Sequence, residues 1–431
     1  MTAKSIALLG HGTIGSEFYR QYRLNRDYYA RLTGTDVSIV CVAVRDPSKH
    51  TESVPENMLV TDIDEAVKNP RIGIVVSVLG NEEAEYYAIK TALEHGKIVV
   101  TANKKVLAKY WHELGKHIYP FGNKLLFEAA VCAGIQIIDN LLNRYLPNYF
   151  SCCEGIVNGT TNYIFTQMME RGWPFAKALK VAQRLGYAEP DPTDDVEGHD
   201  AAYKLSILAS LAYSTHIPPD SIHREGMTAK KGLGAIKEED WFYAKKYGSA
   251  FKLIASARVL DGAVHPWVAP AYVPAYHLLR NVGGSLNGLY LKSEPLGETQ
   301  LVGRGAGPGP TASSLWSDVL TALTRTPTER MQDNSWSGYA VAGSDEYMSC
   351  HYIRMSVHNR KGVLGSIGSI FANHGVSVEQ FIQPHEGKGE GEEEMITLTE
   401  PSNQRHLRRA LDEIRKEDYC IGIGTVLHAV N

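Results

Sequence analysis

The sequence predicts an α/β protein with a parallel N-terminal sheet, an α+β middle domain and a small ferredoxin-like domain at the C-terminus. An apolar run, SIALL (5–9), leads into a glycine-rich turn and then into a helical pattern. Apolar strands and helical segments alternate after it, which is typical of a parallel sheet with crossover helices. From His351 onward the segments follow the order βαββαβ, which predicts a ferredoxin-like unit.

Bulk composition is that of an ordinary globular protein. The chain has 431 residues, which favours about two to four domains. Its net charge of -4 gives no reason to expect nucleic acid or an anionic membrane as a partner. No apolar run is as long as a membrane span, and the N-terminus has neither signal-peptide nor transit-peptide features, so we expect a cytoplasmic protein.

The cysteines form neither a CxxC pair nor a metal-ligand spacing. We therefore expect reduced, mostly buried thiols, as in a cytoplasmic protein. A disulfide between Cys350 and Cys420 is an alternative that the sequence leaves open. The six cysteines are Cys41, Cys132, Cys152, Cys153, Cys350 and Cys420.

The first glycine-rich turn, GHGTIG, predicts a dinucleotide site of the Rossmann type. Gly10 allows a tight turn, Gly12 lets the backbone approach a pyrophosphate, and Gly15 permits close packing of helix on strand. The helix start then offers N–H groups to the phosphates. The alternative is a glycine-rich turn without a ligand. The predicted cofactor contacts in this turn are Gly10, Gly12, Thr13, Ile14 and Gly15.

The end of the second strand (37–44) bears on the choice of cofactor. NAD enzymes carry an acidic residue there that holds a ribose hydroxyl. Here Arg45 comes first and suits the 2′-phosphate of NADP, whereas Asp46 could still serve NAD. The sequence therefore favours NADP, with NAD as the alternative. Arg45 could also be an ordinary surface charge that contacts no cofactor.

Two further strands (72–80 and 97–104) end in residues that parallel sheets present to ligands. Ser77 ends the first of them, and Lys104 follows the second, where it is expected beside the nicotinamide. Lys104 could equally be a solvent-exposed lysine at a helix start.

Glu128 lies within KLLFEAAVCAGIQII (124–138), which the pattern predicts as another apolar strand, broken by Glu128 and by small residues. A carboxylate in such a run is unfavourable unless it is paired or bound to a cation. Together with nearby backbone carbonyls it would form a hard-cation site. A buried glutamate satisfied by backbone N–H groups is an equally good interpretation.

An acidic stretch, EPDPTDDVEGHDAAYKL (189–205), combines a turn-rich loop with a helix. Pro190 and Pro192 predict an extended loop that carries Tyr187, Glu189 and Asp195. The following segment, 199–211, is predicted to be helical and mostly apolar.

Asp200 and Lys204 are four residues apart and share a face of that helix. Partial burial would let Lys204 act as a base, with Asp200 orienting it. The alternative is a weak surface ion pair. The excess carboxylates could hold an ammonium group of a substrate. Earlier in the chain, VNGTTNYI (157–164) predicts a polar turn at Gly159 and Thr160 that opens another helix. The backbone N–H groups of this turn could bind a carboxylate, or Asn158 or Thr161 could simply cap the helix.

Residues further along complete the domain plan. GRGAGPGPTA (303–312) is a glycine-rich turn before a helix and suggests a return to the cofactor domain, with Gly303 near the ligand. In the last domain Asn359 and Gly362 are placed for a small polar ligand, or are plain turn residues. The acidic run EGKGEGEEE (386–394) is expected to be a solvated hairpin tip.

The sequence predicts three domains and a linker. The dinucleotide-binding domain comprises 1–135 and the returning segment 301–325, the substrate and dimerisation domain 136–300, the linker 326–349, and the C-terminal domain 350–431.

These motifs together resemble the homoserine dehydrogenase family, in its monofunctional form with a C-terminal ACT domain. The resemblance covers essentially the whole chain. The acidic loop leading to Lys204 is the most specific motif, and the others are shared more widely. Besides those already quoted, the resemblance rests on TANK (101–104) and on NRKGVLGSI (359–367).

The resemblance implies NAD(P)-dependent interconversion of L-homoserine and L-aspartate 4-semialdehyde, in the biosynthesis of threonine, methionine and isoleucine. By position, Lys204 resembles the catalytic lysine, with Asp200 holding it, and Lys104 the second lysine. It also implies a homodimer or homotetramer. The ACT domain senses L-threonine in some members of the family, but here Asn359 stands where aspartate is frequent, which bears on sensitivity to feedback inhibition. A non-catalytic sensor of NADP and amino acids is the alternative. The implied substrate contacts are Gly159, Thr160, Tyr187, Glu189 and Asp195, and the implied sodium site is Glu128 with the carbonyls of Val131, Ala133 and Ile135.

Overall fold

A computed structural model describes residues 5–118, 124–228, 235–324, 338–344, 346–384 and 391–431. The chain divides into two compact units. The first comprises residues 1–148, 206–218 and 303–338, and the second 149–205, 219–302 and 339–431. The last helix of the acidic motif, His199–Tyr213, contributes residues to both.

The helices and strands follow the alternation that the sequence predicts. The helices are α1 Thr13–Thr33, α2 Asp64–Val67, α3 Glu82–Glu94, α4 Lys104–Lys109, α5 Trp111–Leu114, α6 Gly159–Arg171, α7 Phe175–Arg184, α8 Thr193–Val196, α9 His199–Tyr213, α10 Glu238–Lys246, α11 Pro308–Thr324, α12 Val363–Asn373 and α13 Gln404–Ile414. The strands are β1 Ser5–Leu9, β2 Ile39–Ala43, β3 Leu59–Val60, β4 Ile72–Ser77, β5 Ile98–Thr101, β6 Leu125–Leu126, β7 Tyr149–Ile156, β8 His223–Arg224, β9 Ala250–Leu260, β10 Ala263–Val273, β11 Leu286–Glu294, β12 Gly297–Arg304, β13 Ala340–Val341, β14 Met348–His358, β15 Val378–Ile382, β16 Glu392–Thr399, β17 Ser402–Asn403 and β18 Cys420–Ala429.

A six-stranded sheet forms the core of the first unit. Its strand order is β3-β2-β1-β4-β5-β6, and every pairing is parallel. The order reverses between β1 and β4, which opens a crevice at the carboxyl ends of these strands. The strands read as apolar runs because helices cover both faces of such a sheet.

The segment 303–338 returns to this first unit. Its helix α11 packs along α1, and Trp316 stacks on Phe18 with ring centroids 4.3 Å apart and on Tyr29 at 4.5 Å. The indole Nε1 donates to the carbonyl of Phe18 at 3.0 Å. The contacts of this buried indole hold α11 in place beside the helix that follows the glycine turn.

The sequence predicts an apolar strand over 124–138 that is broken by Glu128 and by small residues, and in the structure only its first part is a strand. Only β6 is extended, and a 3₁₀ turn at Glu128–Ala130 follows it. Cys132 has a positive φ of 51°, and the Gly134 N–H donates to the carbonyl of Arg304 at 2.8 Å. A β-carbon on Gly134 would collide with that carbonyl. This segment is therefore shaped by a residue far along the chain, which local periodicity does not reveal.

The second unit is built on a mixed sheet of order β12-β11-β7-β9-β10-β18-β14-β16-β15. Its last four strands, with α12 and α13, have the predicted βαββαβ order, so the ferredoxin-like prediction is confirmed. Strand β18 pairs with β10, which makes the C-terminal sheet continuous with that of the middle domain.

Some predictions about the C-terminal half need correction or lie outside the described residues. Cys350 and Cys420 are both free and stand at opposite ends of the β14–β18 ladder, so they do not pair. Glu394, in the run predicted to be solvated, is buried and pairs with Arg354 at 3.0 Å. Most of that run, and most of the predicted linker 326–349, lie outside the described residues. Among the helices that the structure describes, none has the length and hydropathy required to cross a bilayer.

Candidate active site

A groove of about 1060 Å³ lies at the carboxyl ends of β1, β2 and β4 in the first unit. This is the crevice at which open parallel sheets bind dinucleotides. Of the predicted cofactor residues, Gly10, Gly12 and Arg45 line it. Its other walls include His11, Asp46, Lys49, His50, Val78, Leu79 and Gly80.

The glycines of this groove have the geometry expected of a phosphate-binding turn. Gly10 has a φ of 94°, and a β-carbon there would stand 2.5 Å from the carbonyl oxygen of Val78. A β-carbon on Gly15 would collide with the carbonyl of Gly10. Gly12 opens α1 without a side-chain cap, so no side chain competes for the first amides of the helix, including those of Thr13 and Ile14. By contrast, α3, α4 and α6 are each capped by an asparagine side chain.

The end of β2 carries the residues that would distinguish the two dinucleotides. Arg45 is exposed at the groove. The Asp46 carboxylate accepts bonds from the Ser48 hydroxyl at 2.6 Å and the Ser48 amide at 3.2 Å, and pairs with Lys49 at 3.4 Å. The Ser48 hydroxyl bond, helped by Lys49, lowers the pKa of Asp46. Asp46 is thus engaged as the cap of the next 3₁₀ turn.

A buried carboxylate supports the strand ends on the other side of the groove. Glu85 accepts the Leu79 amide at 2.6 Å and the Thr101 hydroxyl at 3.0 Å, and burial raises its pKa. Ser77 is fully buried at the end of β4, and Lys104 is half-buried at the first position of α4. Sequence reasoning missed Glu85. The sequence signal that could have indicated it is an acidic residue in the first turn of the helix that follows β4.

A second group of polar residues surrounds Lys204 in the second unit. Lys204 Nζ donates to Asp200 Oδ2 at 2.7 Å and to the carbonyl of Val157 at 2.8 Å. Both side chains are about nine-tenths buried. The alternative of an exposed, weak surface pair therefore does not describe this contact. The helical prediction for 199–211 is confirmed by α9.

Asn158 joins this pair to a second carboxylate. Its Nδ2 donates to Asp200 Oδ2 at 2.9 Å and to Asp195 Oδ1 at 2.7 Å. Its Oδ1 accepts the Thr161 amide at 2.9 Å, so the interpretation of Asn158 as a helix cap is confirmed. The sequence did not reveal that the same amide holds two carboxylates, because those carboxylates are remote along the chain.

The acidic loop brings only part of its charge to this group. Asp195 is half-buried, and burial, together with repulsion from Asp200, raises its pKa against the opposing bond from Asn158. The residue lies in α8 rather than on an extended loop, because Pro192 has a near-helical ψ of 9° and opens that helix. Tyr187 and Glu189 are exposed. Two carboxylates therefore face one lysine, which leaves an excess negative charge for a cation.

Gly159 and Thr160 fix the start of α6 beside these carboxylates. The Thr160 hydroxyl donates to the carbonyl of Tyr187 at 2.5 Å. A β-carbon on Gly159 would stand 2.7 Å from the carbonyl oxygen of Ser285. Glycine is required here because the helix start lies directly against backbone.

Glu128 is buried in the first unit, and its carboxylate is held by backbone. Oε1 accepts the Ile138 amide at 2.9 Å and Oε2 the Asp139 amide at 2.7 Å. Burial raises its pKa to about 7 despite these bonds. The carbonyl of Ala133 accepts from Ser314, and that of Ile135 from the Ile137 amide. The described contacts thus satisfy the carboxylate with amide donors, while each carbonyl keeps a second lone pair.

Comparisons with known proteins agree with this geometry. The family model "Homoserine dehydrogenase, NAD binding domain" matches residues 10–128, "Homoserine dehydrogenase" matches 137–320, and "ACT domain" matches 351–418. The homoserine dehydrogenase of Neisseria gonorrhoeae is 33% identical over 98% of this chain and 97% of its own. The chain belongs to the homoserine dehydrogenase family.

Solved structures support the same assignment. The crystal structure of a homoserine dehydrogenase from Thiobacillus denitrificans is 31% identical, with a TM-score of 0.84 over 100% of this chain and 98% of that one. A hyperthermophilic archaeal homoserine dehydrogenase in complex with NADPH is 26% identical, with a TM-score of 0.61 over 76% of this chain and 100% of that one. Family membership makes the chain an oxidoreductase that uses a nicotinamide cofactor and carries an ACT domain, and the non-catalytic sensor finds no support.

Replacing Gly159 with alanine tests whether the start of α6 positions the carboxylate group. The new β-carbon must push α6 away from Ser285 and with it Asn158, which holds Asp195 and Asp200. We expect kcat/KM for L-homoserine to fall by about tenfold or more, with unchanged affinity for the dinucleotide, since small misplacements near a reacting centre have large effects.

The matched control is Gly365→Ala, at an exposed position of α12 where a β-carbon meets nothing. It should leave kcat/KM unchanged. A Gly159→Ala enzyme with the kinetics of the parent would show that this close contact does not position the site.

Proposed function

We propose that Lys204 is the acid/base of the reaction, in which the hydroxyl of L-homoserine is oxidised to the aldehyde of L-aspartate 4-semialdehyde. The observation that carries the proposal is the pair of acceptors around Nζ, Asp200 Oδ2 and the carbonyl of Val157. A neutral amine has two N–H bonds and one lone pair. When both N–H bonds donate to these acceptors, the lone pair points in a remaining tetrahedral direction, where it can accept a proton.

The proton and electron changes balance in this arrangement. The substrate hydroxyl loses its proton to Lys204 Nζ, the C4–H bond breaks, and the carbonyl double bond forms. A bound nicotinamide supplies the acceptor for the hydride. Lys204 must be neutral to take the proton, so oxidation should accelerate as the pH rises, and the ammonium form returns the proton in the reverse direction.

Asp195 and Glu189 are proposed to hold the α-ammonium group of the substrate, and Gly159, Thr160 and Tyr187 to complete its site. The support is the excess of two carboxylates over one lysine around Asn158. Because the pKa of Asp195 is raised, its carboxylate is protonated at a higher pH than an exposed aspartate. Binding of the ammonium should weaken as the pH falls through that raised value.

NADP is the proposed dinucleotide, with NAD as the weaker alternative. Arg45 is exposed at the groove beside Lys49, whereas Asp46, the residue that would bind the ribose of NAD, is engaged by Ser48. The archaeal relative bound to NADPH favours the same choice. Lys104, Ser77 and Gly303 are proposed as further contacts near the nicotinamide, because Ser77 ends β4 and Lys104 follows β5.

A monovalent cation, sodium, is proposed at Glu128 with the carbonyls of Val131, Ala133 and Ile135. The buried carboxylate and the nearby buried carbonyls support it, although amide donors already satisfy the carboxylate. We also propose that the protein is cytoplasmic and forms a homodimer or homotetramer, and that its ACT domain binds L-threonine. The domain boundaries are proposed to be those predicted from the sequence. A 340 nm assay with L-homoserine, with sodium replaced by an organic cation and with added L-threonine, tests the ligand proposals.

Replacing Lys204 with methionine removes the amine but retains most of the side-chain volume. We expect kcat with L-homoserine and NADP+ to fall by about 10²–10⁴, the range of general acid–base catalysis. Binding of NADPH, followed by fluorescence titration, should persist because Lys204 is not in the dinucleotide groove.

Lys68→Met is the matched control. Lys68 forms an i,i+4 pair with Asp64 at 2.6 Å, the same spacing as Asp200 and Lys204, but on an exposed surface. It should keep its turnover. Near-normal kcat in the Lys204 variant would refute the assignment of the base.

Arg45→Ala tests the proposed preference for NADP. Loss of a cation beside the 2′-phosphate should raise KM for NADP+ by about tenfold, while KM for NAD+ stays nearly unchanged. Steady-state assays at 340 nm with each dinucleotide measure this, and Arg31→Ala, an exposed position at the end of α1, is the control. Equal effects on both dinucleotides would mean that Arg45 does not read the 2′-phosphate.

A further inference from the structure

We propose that His223, Glu225 and His428, the histidine–glutamate cluster, form a Zn²⁺ site in the second unit. One oxygen or nitrogen of each residue lies within 4.8 Å of the others. The cluster contains none of the residues that were assigned to substrate, dinucleotide or sodium. It joins the middle domain to the last strand of the C-terminal domain.

The sheet explains why these side chains converge. His223 in β8 pairs with Trp267 of β10, and His428 in β18 pairs with Ala271 of the same strand. The Glu225 amide donates to the carbonyl of Val268 at 2.8 Å, which continues the extended chain past β8. His223 and Glu225 are two residues apart on extended backbone and therefore project from one face.

The contacts of His223 require a proton or a metal ion between its ring and Glu225. Its Nδ1 is 3.1 Å from the carbonyl oxygen of Ser344, and a carbonyl only accepts, so Nδ1 carries the proton. In the neutral ring Nε2 is then an acceptor, and it lies 3.2 Å from Glu225 Oε1, which in the carboxylate is an acceptor too. Two acceptors this close repel each other unless a proton or a metal ion lies between them.

The second histidine is oriented in the same way. His428 Nδ1 is 3.1 Å from the Ser349 hydroxyl, and its Nε2 is 3.8 Å from Glu225 Oε2. Metal-binding histidines usually have their other ring nitrogen held by an oxygen, as both rings do here. The ligand separations in a tetrahedral zinc site are roughly 3.4 Å, so ligand atoms that lie within 4.8 Å of one another can close on an ion by movements of about 1 Å.

The ligand set and the surroundings favour zinc over harder cations. Two imidazoles and one carboxylate suit Zn²⁺, whereas Ca²⁺ and Mg²⁺ prefer oxygen ligands. His428 is buried and stacks on Trp267 at 4.8 Å, while the His223 and Glu225 side chains are partly accessible, which provides an entry path. Tyr347, whose hydroxyl is 3.3 Å from His428 Nε2, would turn away from that nitrogen on binding.

A bound ion would connect the two domains of this unit. His428 reaches Ser349 on β14, and Ser349 contacts His351 Nε2 at 3.2 Å. His351 in turn lies 2.7 Å from Gln404 at the start of α13. A bound ion would therefore stabilise β14 and the start of α13, and should raise the free energy of unfolding of the C-terminal domain.

The test is a titration of chelator-treated full-length protein with ZnCl₂ by calorimetry, with Co²⁺ as a second probe whose visible absorption reports a low-coordinate site. We expect one ion per chain, and a rise in Tm on binding. His223→Gln and Glu225→Gln should each weaken binding by at least about tenfold while homoserine oxidation at 340 nm continues.

His374→Gln is the matched control, because His374 forms a comparable pair with Glu413 at 2.7 Å elsewhere in the C-terminal domain. It should bind zinc like the parent. The proposal is overturned by the absence of saturable binding, which would leave a protonated histidine–carboxylate pair. It is equally overturned by unchanged binding in His223→Gln.

Discussion

One carboxylate oxygen organises the buried polar group around Lys204. Asp200 Oδ2 accepts a bond from Lys204 Nζ and another from the Asn158 amide, and all three side chains are buried. A buried carboxylate is stable only when its lone pairs are satisfied, and a buried ammonium only when it is paired. Because each member requires the others, the position of Lys204 is fixed before any substrate arrives.

The surrounding fold holds these three residues in place. Asn158 caps α6, whose start lies against Ser285, and Lys204 also donates to the carbonyl of Val157, which directly precedes Asn158. Asp195 adds a second carboxylate through the same amide. The helices α6, α8 and α9 and the end of β7 therefore meet at a single amide side chain, and a displacement of any of them would displace Lys204, the proposed base.

The sequence predicted those parts that local rules determine. The GHGTIG turn, α9 and the βαββαβ unit follow from glycine positions and apolar periodicity, which act over a few residues. The strand expected after the break at Glu128 does not form because the path of the chain there depends on Arg304, and Glu394 was misread because it is buried against Arg354. Asn158 was recognised as a cap but not as the partner of two carboxylates, since those contacts join residues that only the folded chain brings together.

The most direct test of this account is a single-turnover measurement of hydride transfer in Asp200→Asn, followed by NADPH formation in a stopped-flow instrument. Asparagine keeps the shape but removes the charge that holds Lys204. The account predicts a transfer rate about 100-fold lower than that of the parent enzyme, with unchanged affinity for NADP+. A parent-like transfer rate would contradict the claim that Asp200 positions the base.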